Sequence, residues 1–180
     1  DDILSEKVKK EIFEWIKVFA LAIVFAFVIT QFIKPTLVRG DSMYSTLEEG
    51  DYLIINRMSY KFGEPKRGDI IVFESDLQQD DGTNKDLVKR VIGVSGDTIK
   101  IKDSKVYVNG KELNEPYIHD EITEGDIDTV VPENSVFVLG DNREISLDSR
   151  YEQVGFINES DILGKVFVRL YPFNKIGLLD

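Results

Sequence analysis

A mainly β protein with a single N-terminal transmembrane helix is predicted by three observations. An unbroken apolar run, Val18 to Ile29, lies within the first 34 residues. After Pro35, short β-branched and aromatic runs recur, each bounded by Gly, Asp, Asn or Lys. The pair Asn109-Gly110 stands between two alternating runs, a strong signal for a two-residue hairpin.

The apolar run comes first. Val18 to Ile29 carries no polar side chain, and Trp15 to Ile33 gives roughly 28 Å of helix at about 1.5 Å per residue. The hydrocarbon core of a bilayer is about 30 Å thick, so the segment just spans it, and Pro35 is expected to stop it. A cleaved signal peptide would have a shorter apolar core, and the small pair Ala20 and Ala22 lies in mid-run. A buried soluble helix would be striped, whereas this run is apolar on every face. Lys7, Lys9, Lys10 and Lys17 precede it and only Lys34 and Arg39 follow closely, which places the N-terminus in the cytoplasm and the remainder outside.

The strands follow in order. Asp51–Asn56, Asp69–Phe73, Leu87–Val94, Thr98–Ile101, Ser135–Leu139 and Gly164–Leu170 are the predicted strands, with a hairpin over Lys105–Leu113. Ser42–Glu49 reads as a turn. Ser75–Asp86 is polar and reads as a loop, and Glu115–Pro132 reads as a loop or small excursion.

Composition narrows the chemistry. The 180 residues include no cysteine, which excludes disulfides, thiolate metal sites and cysteine nucleophiles. One histidine, His119, excludes a two-histidine metal site; it sits in an acidic stretch and reads as a surface residue. The net charge is −11. Five lysines balance five acids in residues 1–34, so the acidity lies wholly in residues 35–180, which argues against a nucleic-acid partner. Without a well-placed histidine, a serine nucleophile needs another base, and Ser-Lys chemistry is the option left to examine.

Three segments bear on that option. Gly40-Asp41-Ser42-Met43 follows the anchor closely, and alone it is an unremarkable turn. Lys89 interrupts the apolar strand from Leu87 to Gly93; a lysine facing the same way as Leu87 and Val91 is desolvated, which lowers its pKa and lets its neutral amine accept a proton. An exposed strand lysine is the plainer reading of that segment taken alone. Gly140 to Arg150 is a polar loop after a strand, which on its own reads equally well as charged surface.

Together, these segments resemble in order and spacing the boxes of type I signal peptidases, the membrane-anchored proteases that remove signal peptides, and specifically the Gram-positive branch. Ser42-Met43 with Thr46-Leu47 matches the nucleophile box, followed by Gly50-Asp51-Tyr52. Lys66 to Phe73 matches the next strand. Lys89 to Gly93 with Gly96-Asp97 matches the lysine box. Gly140 to Arg143 with Ser146, Asp148, Ser149 and Arg150 matches the last, and Tyr171 to Asn174 is also similar. The resemblance implies a coiled β-barrel-like serine-protease domain with a small β-hairpin subdomain. Residues 1–34 are then the cytoplasmic tip and anchor. Residues 35–180 are the extracytoplasmic catalytic domain, with the subdomain inserted over about 102–134.

The resemblance also implies roles. Ser42 is the nucleophile and Lys89 the general base. Ser146 holds the lysine amine by a hydrogen bond, and Asp141 with Arg90 and Asp148 with Arg150 form scaffolding pairs. The oxyanion meets the backbone N–H of Ser42 and a group at Gly40, where some relatives carry a serine hydroxyl. Val38, Met43, Leu47 and Val88 match positions lining two shallow pockets for small residues at −1 and −3 of an extended peptide. The implied partners are signal peptides of exported preproteins and the lipid bilayer, with no nucleic acid, metal or cofactor and a monomeric chain. Tyr171, Phe173, Leu178 and Leu179 are core residues or bilayer contacts. Two departures stand out: Ser45 and Ser95 occupy positions where the family usually or often has proline. An inactive membrane-tethered β-domain that binds secretion partners is the competing reading. A self-cleaving repressor is disfavoured, because the N-terminal region here is a membrane run and not a DNA-binding domain.

Overall fold

A computed structural model describes residues 2–118 and 122–179; His119 lies outside them. Helix α1 runs over Asp2–Phe32 and is the only α-helix among the described residues. Within Ser5–Phe32 an 18-residue window reaches a mean hydropathy of 2.4 and none of that window is buried, as a membrane-crossing helix requires. The helix begins well before the expected Trp15. The added turns carry the pairs Glu6–Lys9 and Glu14–Lys17 one turn apart, which support an exposed helix.

Pro35 does not simply end the helix. Strand β1, Ile33–Leu37, begins directly after α1 and places Pro35 at its centre, opposite Ile54 of β2 (Tyr52–Asn56). β1 pairs only with β2, so it is an edge strand, where a missing N–H is tolerated. The junction is fixed from the other side: the Arg57 guanidinium donates to Thr30 O, and its backbone N–H to Phe32 O.

The main sheet is antiparallel. It adds β3 (Ile70–Gln78), β4 (Asn84–Gly93), β9 (Ser135–Leu139), β10 (Ile157–Asn158), β11 (Ile162–Tyr171) and β12 (Gly177–Leu178), in the order β1-β2-β11-β3-β4-β9-β10 with β12 on β11. Bulges interrupt the pairing of β11 with β2 and β3, and of β4 with β9; such insertions increase twist and coil the sheet. Residues 75–86 correct the expected loop. Glu74 pairs with Asp86 and Ser75 with Lys85, so β3 and β4 extend as a hairpin whose tip is only residues 79–83. Cross-strand bonds override the polar composition there: Ser75 Oγ donates to Lys85 O, and Asn84 Nδ2 to Glu74 Oε1.

A second sheet, β7-β6-β5-β8, comprises β5 (Thr98–Lys102), β6 (Lys105–Val108), β7 (Lys111–Glu112) and β8 (Ile127–Val130). Asn109 and Gly110 both have positive φ (52° and 77°), as the tight hairpin demands. Within Glu115–Pro132, read as a loop or small excursion, residues Ile127–Val130 form strand β8. Asp128, Thr129 and Val130 pair with Lys100, Ile99 and Thr98, and Ile127 supplies an apolar contact to the cluster around Ile99 and Ile101.

Two apolar clusters flank the future site. One holds Val38, Met43, Leu47, Leu53, Ile55, Ile70, Val72 and Val166; the other holds Ile71, Phe73, Leu87, Val91, Val136, Val138 and Ile157. The C-terminal apolar groups divide: Tyr171, Phe173 and Leu178 are exposed, while Leu179 packs against the first cluster.

Candidate active site

Ser42 lies in the turn between β1 and β2. Gly40, two residues earlier, has φ +76°, a conformation that side-chain-bearing residues rarely adopt. Tyr44 N–H donates to Asp41 O and Leu47 N–H to Met43 O, so the turn is held by its own backbone without a proline at Ser45. It is also clamped from outside. The Asn142 backbone N–H donates to Ser42 O, and its amide Nδ2 to Asp41 O.

Lys89, in mid-β4, is 2 % exposed. Its amine donates to Ser42 Oγ at 2.7 Å and to Val88 O at 3.1 Å. Burial pushes its pKa down from 10.5 to about 8. Asp148 and Asp141 pull it back up, while Lys85 pushes it further down. A cleft of about 550 Å3 opens over the pair. Buried Val38, Met43 and Val72 form its floor with Val88 beside them, and the more exposed Ile145 and Leu147 stand at its rim. Its long walls are Thr36–Arg39 and Lys85–Val88.

Leu47 is a correction. It is 0 % exposed and sits inside the apolar cluster with Leu53 and Ile55, supporting the turn from beneath and not lining the cleft.

The loop after β9 is built on ion pairs. Arg90 grips Asp141 through Nε at 2.9 Å and a terminal nitrogen at 2.7 Å, and Arg150 grips Asp148 through Nε at 2.8 Å. Asp148 also accepts the Gly140 N–H at 3.0 Å. Gly140 has no room for a side chain: a Cβ there would lie 2.1 Å from Ser146 Oγ and 2.4 Å from Ser42 O. The expected Ser146–Lys89 hydrogen bond is absent. Ser146 Oγ is buried and has no partner; the hydrogen bonds of the lysine amine go to Ser42 Oγ and Val88 O.

Sequence reasoning gave no role to Thr46, whose hydroxyl donates to Asp141 at 2.6 Å, or to Arg143, Glu115 and Tyr117. Arg143 stands within the polar loop that the sequence singled out. Glu115 and Tyr117 carry no local signal. Ser95, the other departure, donates to Pro132 O and accepts the Asn134 N–H, so it fixes a loop that does not line the cleft. Among the described residues no set of three or more His, Asp or Glu side chains is placed to hold a metal ion.

The family model for signal peptidase, peptidase S26, matches residues 12–171. Signal peptidase IB of Staphylococcus aureus is 39 % identical over 93 % of both chains. Signal peptidase I of Bacillus licheniformis is 38 % identical over 98 % of this chain and 97 % of its own. A solved signal peptidase I from Enterococcus faecalis is 33 % identical with a TM-score of 0.48, covering 57 % of this chain and 97 % of that one. On the match across residues 12–171 and these identities, the chain belongs to the signal peptidase family, peptidase S26.

Proposed function

We propose that the protein is a membrane-anchored serine endopeptidase that removes N-terminal signal peptides from exported preproteins, with Ser42 as nucleophile and Lys89 as general base. The observation that carries this reading is the 2.7 Å contact between Lys89 Nζ and Ser42 Oγ at the base of the cleft. A buried lysine with a pKa near 8 is substantially neutral at mildly alkaline pH, the state a general base needs.

The preprotein lies extended between the Thr36–Arg39 and Lys85–Val88 walls, with its small −1 and −3 side chains over Val38, Met43 and Val88. Neutral Lys89 takes the Ser42 proton as Oγ attacks the scissile carbonyl. The oxyanion is met by the Ser42 N–H and by backbone at Gly40, whose left-handed turn exposes the main chain there. The lysine ammonium then protonates the leaving amine, releasing the mature N-terminus. Water, deprotonated by the same lysine, hydrolyses the acyl-enzyme.

Asp141–Arg90 and Asp148–Arg150 hold the loop that packs against the nucleophile turn. Residues 1–34 form the cytoplasmic tip and anchor, and residues 35–180 the extracytoplasmic catalytic domain, as the lysine bias around the helix supports. Helix α1 ends ten residues before Ser42, which keeps the cleft near the outer membrane surface where the apolar core of a signal peptide ends. Cleavage of an Ala-x-Ala preprotein by purified wild type in detergent, compared with Ser42→Ala, tests the assignment; equal rates would remove it.

A further inference from the structure

Three guanidinia surround the loop after β9: those of Arg90 and Arg143, both buried residues, and that of Arg150, whose side chain is 5 % exposed. The loop's own carboxylates, Asp141 and Asp148, neutralise two of them. The third partner comes from elsewhere. Glu115, at the exit from β7, forms a two-pronged ion pair with Arg143, and the two side chains are 7 % and 1 % exposed. Arg143 in turn donates through Nε to Gly140 O at 2.9 Å. Gly140 is the residue wedged against both Ser146 Oγ and Ser42 O.

The same segment makes further grips. Tyr117 lies over the Arg90 guanidinium, 3.9 Å from its carbon to the ring centre, and its hydroxyl donates to Glu115. Thr123 Oγ1, on a residue 1 % exposed, accepts from Arg143, while the Thr123 N–H donates to Ser104 O at the β5–β6 turn. Arg150 donates to Glu124 O as well as to Arg143 O and Ser146 O.

Accepting the peptidase reading above, we propose that Glu115 is a positioning residue for catalysis: the small β-sheet supplies, through Glu115 and Arg143, the clamp that fixes Gly140 and so the packing of Ser146 against the nucleophile turn. A buried guanidinium is tolerated only when paired. The three guanidinia are matched one for one by carboxylates only when Glu115 joins Asp141 and Asp148, and the path from Glu115 to Ser42 O runs through Arg143 and Gly140. The second sheet is therefore part of the active-site frame, and β4 with the nucleophile turn does not complete that frame without it.

The test uses the full-length protein and three variants. Glu115→Gln is expected to lower kcat by between about ten- and a hundredfold with KM within about twofold, the pattern of a geometric displacement that leaves substrate binding intact. It also strands the Arg143 charge, so its melting temperature falls. Glu115→Gln combined with Arg143→Met removes the stranded charge; melting recovers, but kcat stays low because nothing then holds Gly140 O. Glu112→Gln, on the same sheet and paired with exposed Lys105, is a control expected to match wild type.

A purely structural role makes kcat recover along with melting in the double variant, which overturns the proposal. Wild-type kcat in Glu115→Gln overturns it too, as does failure of both variants to fold. The peptidase reading fails separately, through inactive wild type or active Ser42→Ala.

Discussion

Lys89 Nζ sits 2.7 Å from Ser42 Oγ although 47 residues separate the two in sequence. The contact depends on two placements. β1 and the turn after it bring Ser42 over β4, and the β4 register points Lys89 at that turn. Ser42→Ala keeps both placements and removes only the reacting oxygen. Cleavage of an Ala-x-Ala preprotein should fall to background, while circular dichroism and melting temperature stay at wild-type values. A wild type that is equally inactive would favour a tethered binding domain.

The rate should rise with pH through a midpoint near 8, because only neutral Lys89 can accept the Ser42 proton. The pH profile of kcat/KM under single-substrate conditions reads this value directly. A rate that peaks below pH 6 would point to a carboxylate base.

Lys85 gives a way to move that midpoint. It is exposed at the cleft wall, and its charge disfavours the Lys89 ammonium. Lys85→Gln should raise the Lys89 pKa and shift the profile to higher pH. The shift should shrink in high salt, since an exposed charge acts through solvent and is screened. An unmoved midpoint would mean that the Lys85 charge does not act on the lysine.

Ser146→Ala separates a chemical role from a packing one. A buried hydroxyl with no partner costs about 1–3 kcal/mol, so its removal should leave stability unchanged or raised. If the hydroxyl turns to the lysine amine once substrate occupies the cleft, kcat should fall all the same. Loss of activity together with loss of stability would make Ser146 a packing residue only.

Much of this site was legible in the sequence, for a physical reason. Lys89 breaks the pattern of an apolar strand, and Asp141 and Asp148 stand in a dense polar loop after another. Ser42, by contrast, sits in a turn that is unremarkable alone and was singled out only by the resemblance of all three segments to the signal peptidase boxes. The extended β3–β4 hairpin was not legible, because cross-strand bonds stabilise residues 75–86 and their polar composition gives no hint of it. Pro35 pointed to a stop, and only the edge position of β1 makes a strand possible there. Glu115 and Tyr117 could not be read locally, since their significance lies in the guanidinia they meet across the fold. Leu47 shows the converse: its place in the nucleophile box suggested the cleft, yet its side chain points into the core.

Lys89→Met tests whether the lysine is held for chemistry or for structure. Its pKa falls from 10.5 unfolded to about 8 folded. Below pH 8 both states carry the proton, and the folded state bears the whole desolvation cost, on the order of 3 kcal/mol for a depression of this size. Between pH 8 and 10.5 the unfolded chain binds more protons than the folded one, so stability rises with pH. Above 10.5 the cost is gone. Methionine keeps the aliphatic stem and cannot be charged. At pH 7 the variant should therefore be more stable than wild type, by the desolvation cost less about 1 kcal/mol for each hydrogen bond lost to Ser42 and Val88. For a chain of this length each kilocalorie corresponds to about 2–4 °C in melting temperature. The advantage should vanish as pH climbs past 10, with cleavage absent throughout. A Lys89→Met protein clearly less stable than wild type at pH 7 would make the lysine a charged partner of Asp148 or Asp141, and Ser42 would be left without its base.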